Sequence, residues 1–191
     1  MHADEPKPTP NPPAPVDASL DGFFAACYDE VRGIARRILS KENRAHTLQT
    51  TDLVHEVYAR LKNTQSLAIN DQTHFMALAA RTVRRHLVDE AKKRRAEKRG
   101  GKMIRVTLVT DAVGGYEPFQ PELLALGKAM EELERLHPRQ AWAIDMRFIA
   151  GQTVEQVAKE LGVSEKTVKN DTRVALAFLR REVAGRGPEE R

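Results

Sequence analysis

The chain has 191 residues, 30% of them charged and 5% aromatic, with 31 Lys and Arg against 27 Asp and Glu for a net charge of +4. So small an excess means that a polyanion partner would be recognised by where the charge sits, not by its total. Cys27 is the one cysteine, which excludes an internal disulfide and a paired-cysteine metal or redox site, and no apolar run reaches the roughly 18 residues a membrane span needs. The N-terminus shows no basic-then-apolar export pattern, so the expected compartment is a reducing cytoplasm and no membrane partner is expected.

Residues 1–17 carry prolines at 6, 8, 10, 12, 13 and 15. Such a segment cannot hold a helix and has little to bury, so a disordered tail is expected. From Leu20 the apolar residues Phe23, Phe24, Cys27, Val31, Ile34, Ile38 and Leu39 recur at helical spacing, which predicts one amphipathic helix over 19–40 capped by Ser19. Cys27 is expected as a filler of its apolar face. A second helix begins near Thr50 or Thr51, with Leu53, Val54, Val57, Tyr58 and Leu61 as its buried stripe and Asp52 at the positive end of its dipole. The polar stretch 63–74 reads as a loop.

A long helix is expected from about His74 to Arg99, with Phe75, Leu78, Ala79, Val83, Leu87 and Ala91 on its inner face. Arg81, Arg84, Arg85, Lys92, Lys93, Arg94 and Arg95 fall on the outer face. Between Arg81 and Arg105 eleven cationic residues stand against three acidic ones, a local excess larger than that of the whole chain. Charge of one sign on one helix suits phosphate neutralisation, which gives strong and salt-dependent binding. Gly100 and Gly101 end the helix. Residues 101–121 read as a linker in which RVTLV at 105–109 has no partner strand.

The C-terminal unit starts at Glu122. Leu123, Leu126, Met130 and Leu133 give one helix. Pro138 opens another, with Ala141, Trp142, Ile144 and Phe148 inward and Gly151 as its end. Residues 153–180, TVEQVAKELGVSEKTVKNDTRVALAFLR, then read as a helix, a tight turn and a second helix. Ala158 is small enough for close helix approach, Gly162 permits a positive φ, and Val168 packs back across the turn. With Ser164 as N-cap, the residues left outward include Lys166, Thr167, Lys169, Asn170 and Arg173, types that reach base edges and phosphates in a major groove. The tail from 185 to 191 is expected to fray.

These features together resemble a bacterial RNA polymerase sigma factor of the sigma-70 family, extracytoplasmic-function (ECF) type, closest to the ECF-like helix-turn-helix branch. The resemblance rests on DLVHEVYARL at 52–61, HFMALAARTVRRHLVDEAKKRRAEKRGG at 74–101 and HPRQAWAIDMRFIAGQTVEQVAKELGVSEKTVKNDTRVALAFLRRE at 137–182. It implies an all-α fold of two small helical domains, 18–100 and 122–184, joined by the flexible linker 101–121. The first would bind core RNA polymerase and promoter DNA at the −10 element through Arg81, Arg84, Arg85, Lys92 and Arg95, with Asp52 and Glu56 facing the polymerase clamp. The loop 63–74 would hold a base flipped from the non-template strand, and the linker would thread through the polymerase. The second domain would read the −35 element through Ser164, Lys166, Thr167, Lys169, Asn170 and Arg173.

Members of the family commonly carry an acidic run before the DLVQE-like string, where this chain has the uncharged Leu48, Gln49, Thr50 and Thr51. Phosphorylation of Thr50 or Thr51 would restore that charge at a helix N-terminus; the alternative is that both threonines are simple capping residues. A Ser/Thr kinase or an anti-sigma factor is a candidate regulatory partner. A stand-alone helix-turn-helix regulator is the alternative; it needs a dimer interface and usually a sensor domain, neither of which is evident. An enzyme using His46, His55, Glu56, His74 and His86 is disfavoured: His55-Glu56 lacks a second histidine four positions after the first, so no zinc helix forms and neither metal nor cofactor is expected.

Overall fold

Ser19 caps the first helix by accepting a hydrogen bond from the Gly22 amide at 3.0 Å. The computed structural model describes residues 19–39, 50–64, 69–97, 119 and 121–185. The proline-rich segment, residues 40–49, the centre of the 63–74 loop, nearly all of the 101–121 linker with RVTLV, and residues 186–191 lie outside the described residues. The helices are α1 (Leu20–Ala26), α2 (Tyr28–Leu39), α3 (Thr50–Lys62), α4 (Gln72–Glu97), α5 (Leu123–Leu136), α6 (Pro138–Ile144), α7 (Val154–Leu161) and α8 (Glu165–Gly185), with a π-helical turn, Asp145–Ala150, continuing α6. The architecture is all-α, as expected.

Three boundaries differ from the periodicity. The helix expected over 19–40 is two helices, because Cys27 takes φ −108° and ψ 13° and bends the chain. The Cys27 amide still donates to Phe23 O and its carbonyl accepts from Val31, so the apolar face runs through the bend unbroken. Helix α4 starts at Gln72, two residues early, because Asp71 caps it through the His74 amide at 2.9 Å. The third difference is the π turn. One extra residue in the turn rotates the chain so that Asp145, Met146, Arg147, Phe148 and Ile149 are all buried, which no regular helix face allows. Gly151 at φ 78° ends it.

Helix α4 is the centre of the molecule. Phe75, Met76, Ala77, Ala79, Ala80, Val83, Leu87, Val88 and Ala91 are all buried, which covers most of its circumference. One side packs on α1, α2 and α3, with Phe75 stacked on Phe23 of α1 at 6.3 Å and meeting Phe24 edge-on. The other side packs on α5, the π turn and α7. A single apolar cluster therefore joins Val31, Val54 and Val83 to Leu126, Met130, Leu133 and Leu179. Gly127 marks the tightest approach: a Cβ placed there would lie 2.7 and 2.8 Å from the two Val88 methyls. Cys27 is fully buried in this core, as expected, and burial, with the Glu30 carboxylate nearby, pushes its thiol up to about 11. No described helix is long and apolar enough to cross a membrane.

Candidate nucleic-acid interface

Helices α7 and α8 form the helix-turn-helix. Thr153 opens α7 with a capping box: its hydroxyl accepts from the Gln156 amide at 3.1 Å while Gln156 Oε1 accepts from the Thr153 amide at 2.7 Å. Gly162 ends α7 at φ 63°, where a side chain would be strained, and the Val163 amide returns to Ala158 O at 3.0 Å. Ser164 starts α8 by accepting from the Thr167 amide at 3.1 Å. Val157, Ala158 and Val168 close the corner together with Met146, Ala143 and Ala77 of the helices behind it. The hairpin is thus fixed at three caps and one apolar wedge.

On α8, Ser164, Glu165, Lys166, Lys169, Asn170 and Arg173 are exposed, and Thr167 is half-buried. Lys169 Nζ lies 3.5 Å from Glu165, and Arg173 donates to Asn170 Oδ1 at 3.0 Å. Beneath this face Asp171 is buried and accepts two bonds from Arg139 of α6, at 2.8 and 3.2 Å. That pair fixes the roll of α8, so the exposed row points consistently outward. Neither the Arg139–Asp171 brace nor the Thr153 box was in the sequence reading, although the T-x-x-Q spacing of the box was there to be read.

The five cationic residues assigned to the −10 element lie along α4, and four of them are engaged. Arg84, expected on the outer face, is 3% exposed. Its Nε and Nη2 donate to the two carboxylate oxygens of Asp145 at 2.8 and 2.9 Å, and Nη2 also meets Glu134. Glu134 accepts from Arg81 at 2.8 Å and from Arg85 at 2.7 Å as well. Lys92 reaches Glu131 at 3.2 Å, and Arg95 is exposed. The guanidinium of Arg81 also lies over the Trp142 ring at 5.3 Å. Burial alone would raise the Glu134 carboxyl, but the Arg84 charge and the Arg85 and Arg84 hydrogen bonds outweigh it and bring it down to about 2. Arg84 is likewise held protonated: the Asp145 and Glu134 carboxylates overcome its burial.

On α3, Asp52 is exposed and Glu56 half-buried. Glu56 accepts from Arg60 at 2.9 Å, which holds its carboxyl below the usual range, and Arg60 bridges on to Asp89 of α4 at 3.0 Å. His86 is buried behind Glu56, and burial pushes its imidazole down toward the neutral form. Thr50 and Thr51 are the first two residues of α3 and are half-buried. The geometry brings together two groups of the expected site residues: the exposed row on α8, and a cationic row on α4, four of whose five members are engaged by Glu131 and Glu134 of α5 and Asp145 of the π turn.

A family model described as ECF sigma factor matches residues 17–185. No curated protein and no solved structure matches the chain. The matched span contains every described helix, including the capped hairpin and the cationic helix. The chain belongs to the ECF sigma factors, DNA- and RNA polymerase-binding proteins of transcription initiation.

Proposed function

We propose that the chain directs core RNA polymerase to promoters with two separate DNA contacts, and that its affinity for the polymerase is set by phosphorylation at the start of α3. The observation that carries the first half is the exposed row on α8, held in register by the Ser164 cap and the Arg139–Asp171 brace. In this reading Ser164, Lys166, Thr167, Lys169, Asn170 and Arg173 enter the major groove at the −35 element. Arg81, Arg84, Arg85, Lys92 and Arg95 grip the −10 region and favour strand opening by capturing unstacked bases. Asp52 and Glu56 dock on the polymerase clamp.

Lys166→Ala and Lys169→Ala should each weaken promoter binding by holoenzyme and lower the slope of log affinity against log salt by about 1, the mark of one lost phosphate contact. Arg173→Ala should cost about 1–3 kcal/mol, with relaxed sequence preference if it reads a base edge. In vitro transcription with core polymerase and a genomic fragment library tests the whole reading; no transcript in any phosphorylation state would end it.

Thr50 and Thr51 occupy the first turn of α3, where the helix dipole favours added negative charge. A phosphate there would add nearly two negative charges beside Asp52 and supply the anionic surface that the uncharged 48–51 stretch lacks. Core-polymerase affinity should rise about tenfold for Thr50→Glu/Thr51→Glu relative to Thr50→Ala/Thr51→Ala, measured by fluorescence anisotropy. Equal affinity for wild type and both variants would remove phosphorylation from the account.

A further inference from the structure

The seam between α4 and α5, where the N-terminal and C-terminal halves meet, holds a cleft of about 260 Å³ that also reaches α3. That is room for about eight waters at roughly 30 Å³ each, just under the roughly 300 Å³ at which small-molecule sites begin. Its lining has three kinds of group. Arg60, Arg84 and Arg85 bring guanidiniums, Asp89 and Glu131 bring carboxylates, and Val88 and Gly127 form the apolar part. A Cβ on residue 127 would lie 2.7 Å from a Val88 methyl, so the glycine sets how closely α5 approaches α4 beside the cleft.

The guanidiniums are held before any ligand arrives. Arg84 is gripped by Asp145 and Glu134, Arg85 by Glu134, and Arg60 by Glu56. None of those three carboxylates lines the cleft. Cations fixed in this way lose little freedom on binding. A guanidinium has five N–H donors. Among the described residues Arg85 uses one, on Glu134, and Arg60 uses two, on Glu56 and Asp89. The remaining donors suit a phosphate, whose oxygens match the planar fork. The carboxylates offer the complement. Among the described residues Asp89 accepts through Oδ2 and Glu131 through Oε1. Asp89 Oδ1 and Glu131 Oε2 can accept hydroxyls, as acidic side chains do from ribose. Three guanidiniums against two carboxylates leave the lining one positive charge in excess, so its match is an anion that also carries hydroxyls.

We propose that this cleft binds a phosphomonoester of a hydroxylated small molecule, a ribonucleoside monophosphate or a sugar phosphate, with the phosphate on Arg60 and Arg85 and the hydroxyls on Asp89 and Glu131. Buried Arg84 adds a fixed positive charge beside the phosphate. The site needs neither DNA nor polymerase, and a ligand that touches three helices of the folded chain raises its melting temperature.

Full-length protein is titrated by calorimetry with the four ribonucleoside monophosphates, ribose 5-phosphate, the same five molecules without phosphate, and inorganic phosphate. At least one ester should bind with a Kd of about 10–100 µM. Its dephosphorylated form and phosphate alone should each bind about tenfold more weakly or worse. A ribonucleotide that binds more tightly than ribose 5-phosphate makes the ligand a nucleotide; ribose 5-phosphate binding as tightly or more so makes it a sugar phosphate. Arg85→Gln and Glu131→Ala change exposed side chains, so both should keep their helical circular dichroism. They should weaken the ester about tenfold and about fivefold. Lys93→Gln, which removes an exposed cation of the same helix outside the cleft, should bind it as wild type does.

The proposal is overturned if no ester binds below about 1 mM, if phosphate alone or the dephosphorylated molecule binds as tightly, if either cleft variant keeps full affinity, or if Lys93→Gln loses as much as Arg85→Gln. The titrations contain no DNA and no polymerase. A wild type that starts no transcript therefore ends the sigma-factor mechanism, while the cleft stands or falls on its own titrations.

Discussion

Phe75→Ala should cost about 3–5 kcal/mol of stability, the range for truncating a fully buried aromatic, and should remove polymerase binding at physiological temperature. Phe75 is 0% exposed one turn into α4. Its ring stacks on Phe23 at 6.3 Å, with an interplanar angle of 15°, and meets Phe24 edge-on at the same distance. Phe24 in turn touches Tyr58 of α3, whose hydroxyl donates to Asp21 at 2.6 Å. One side chain thus ties α1, α3 and α4 together at the end of the molecule that carries Asp52 and Glu56. Alanine would leave a void that three helices cannot collapse into, because each is held elsewhere by its own apolar stripe. Urea denaturation followed by circular dichroism measures the loss. A cost below about 1 kcal/mol would show that these helices are secured mainly by other contacts.

Most of the local structure was legible in the sequence. Ser19, Ser164, Pro138, Gly151 and Gly162 sit where caps and breaks were expected, because capping depends on a residue and its neighbours three or four positions away. The stripe Leu53, Val54, Val57, Leu61 on α3 is buried for the same local reason. What local patterns could not supply was the use made of α4. Its apolar residues gave an inner face, and its arginines were assigned to the opposite one. The structure buries residues almost all round it, Arg84 included, because a second group of helices packs there. The run EELERL in α5 reads as an ordinary solvated helix end, yet Glu131 and Glu134, one turn apart, face Lys92 and the arginines of α4. The partner of each charge lies some 40 to 60 positions away, and no periodicity encodes that distance. The bend at Cys27 and the π turn after Ile144 escaped for a related reason: both re-aim a helix that would otherwise satisfy its own hydrogen bonds, and only packing selects them.

Arg84→Ala should be the most damaging change to a charged residue, costing about 3–5 kcal/mol in the contact between the halves. The loss is mainly the penalty for what remains. Asp145 is 1% exposed, and the bonds described for its carboxylate both come from Arg84, so alanine strands a buried charge with neither water nor counter-ion. Removing both charges, in Arg84→Met/Asp145→Leu, should recover most of the stability, since apolar groups of similar volume often replace a buried pair without net cost. The cycle through the two single variants should give a coupling of about 2 kcal/mol or more by thermal unfolding. The pH dependence has a definite sign. Glu134 is held at about 2 against an ordinary 4.5, so its stabilisation is complete above about 4.5 and drains away as the pH falls toward 2. The seam is therefore fully formed at neutral pH, and the ranking of the variants should hold there. The proposed promoter contact would give Arg84 a second role: the double variant should regain its melting temperature and still fail to open promoters, because stability needs only a filled seam whereas the proposed −10 contact needs the guanidinium. A double variant that transcribes like wild type would show that Arg84 serves packing alone.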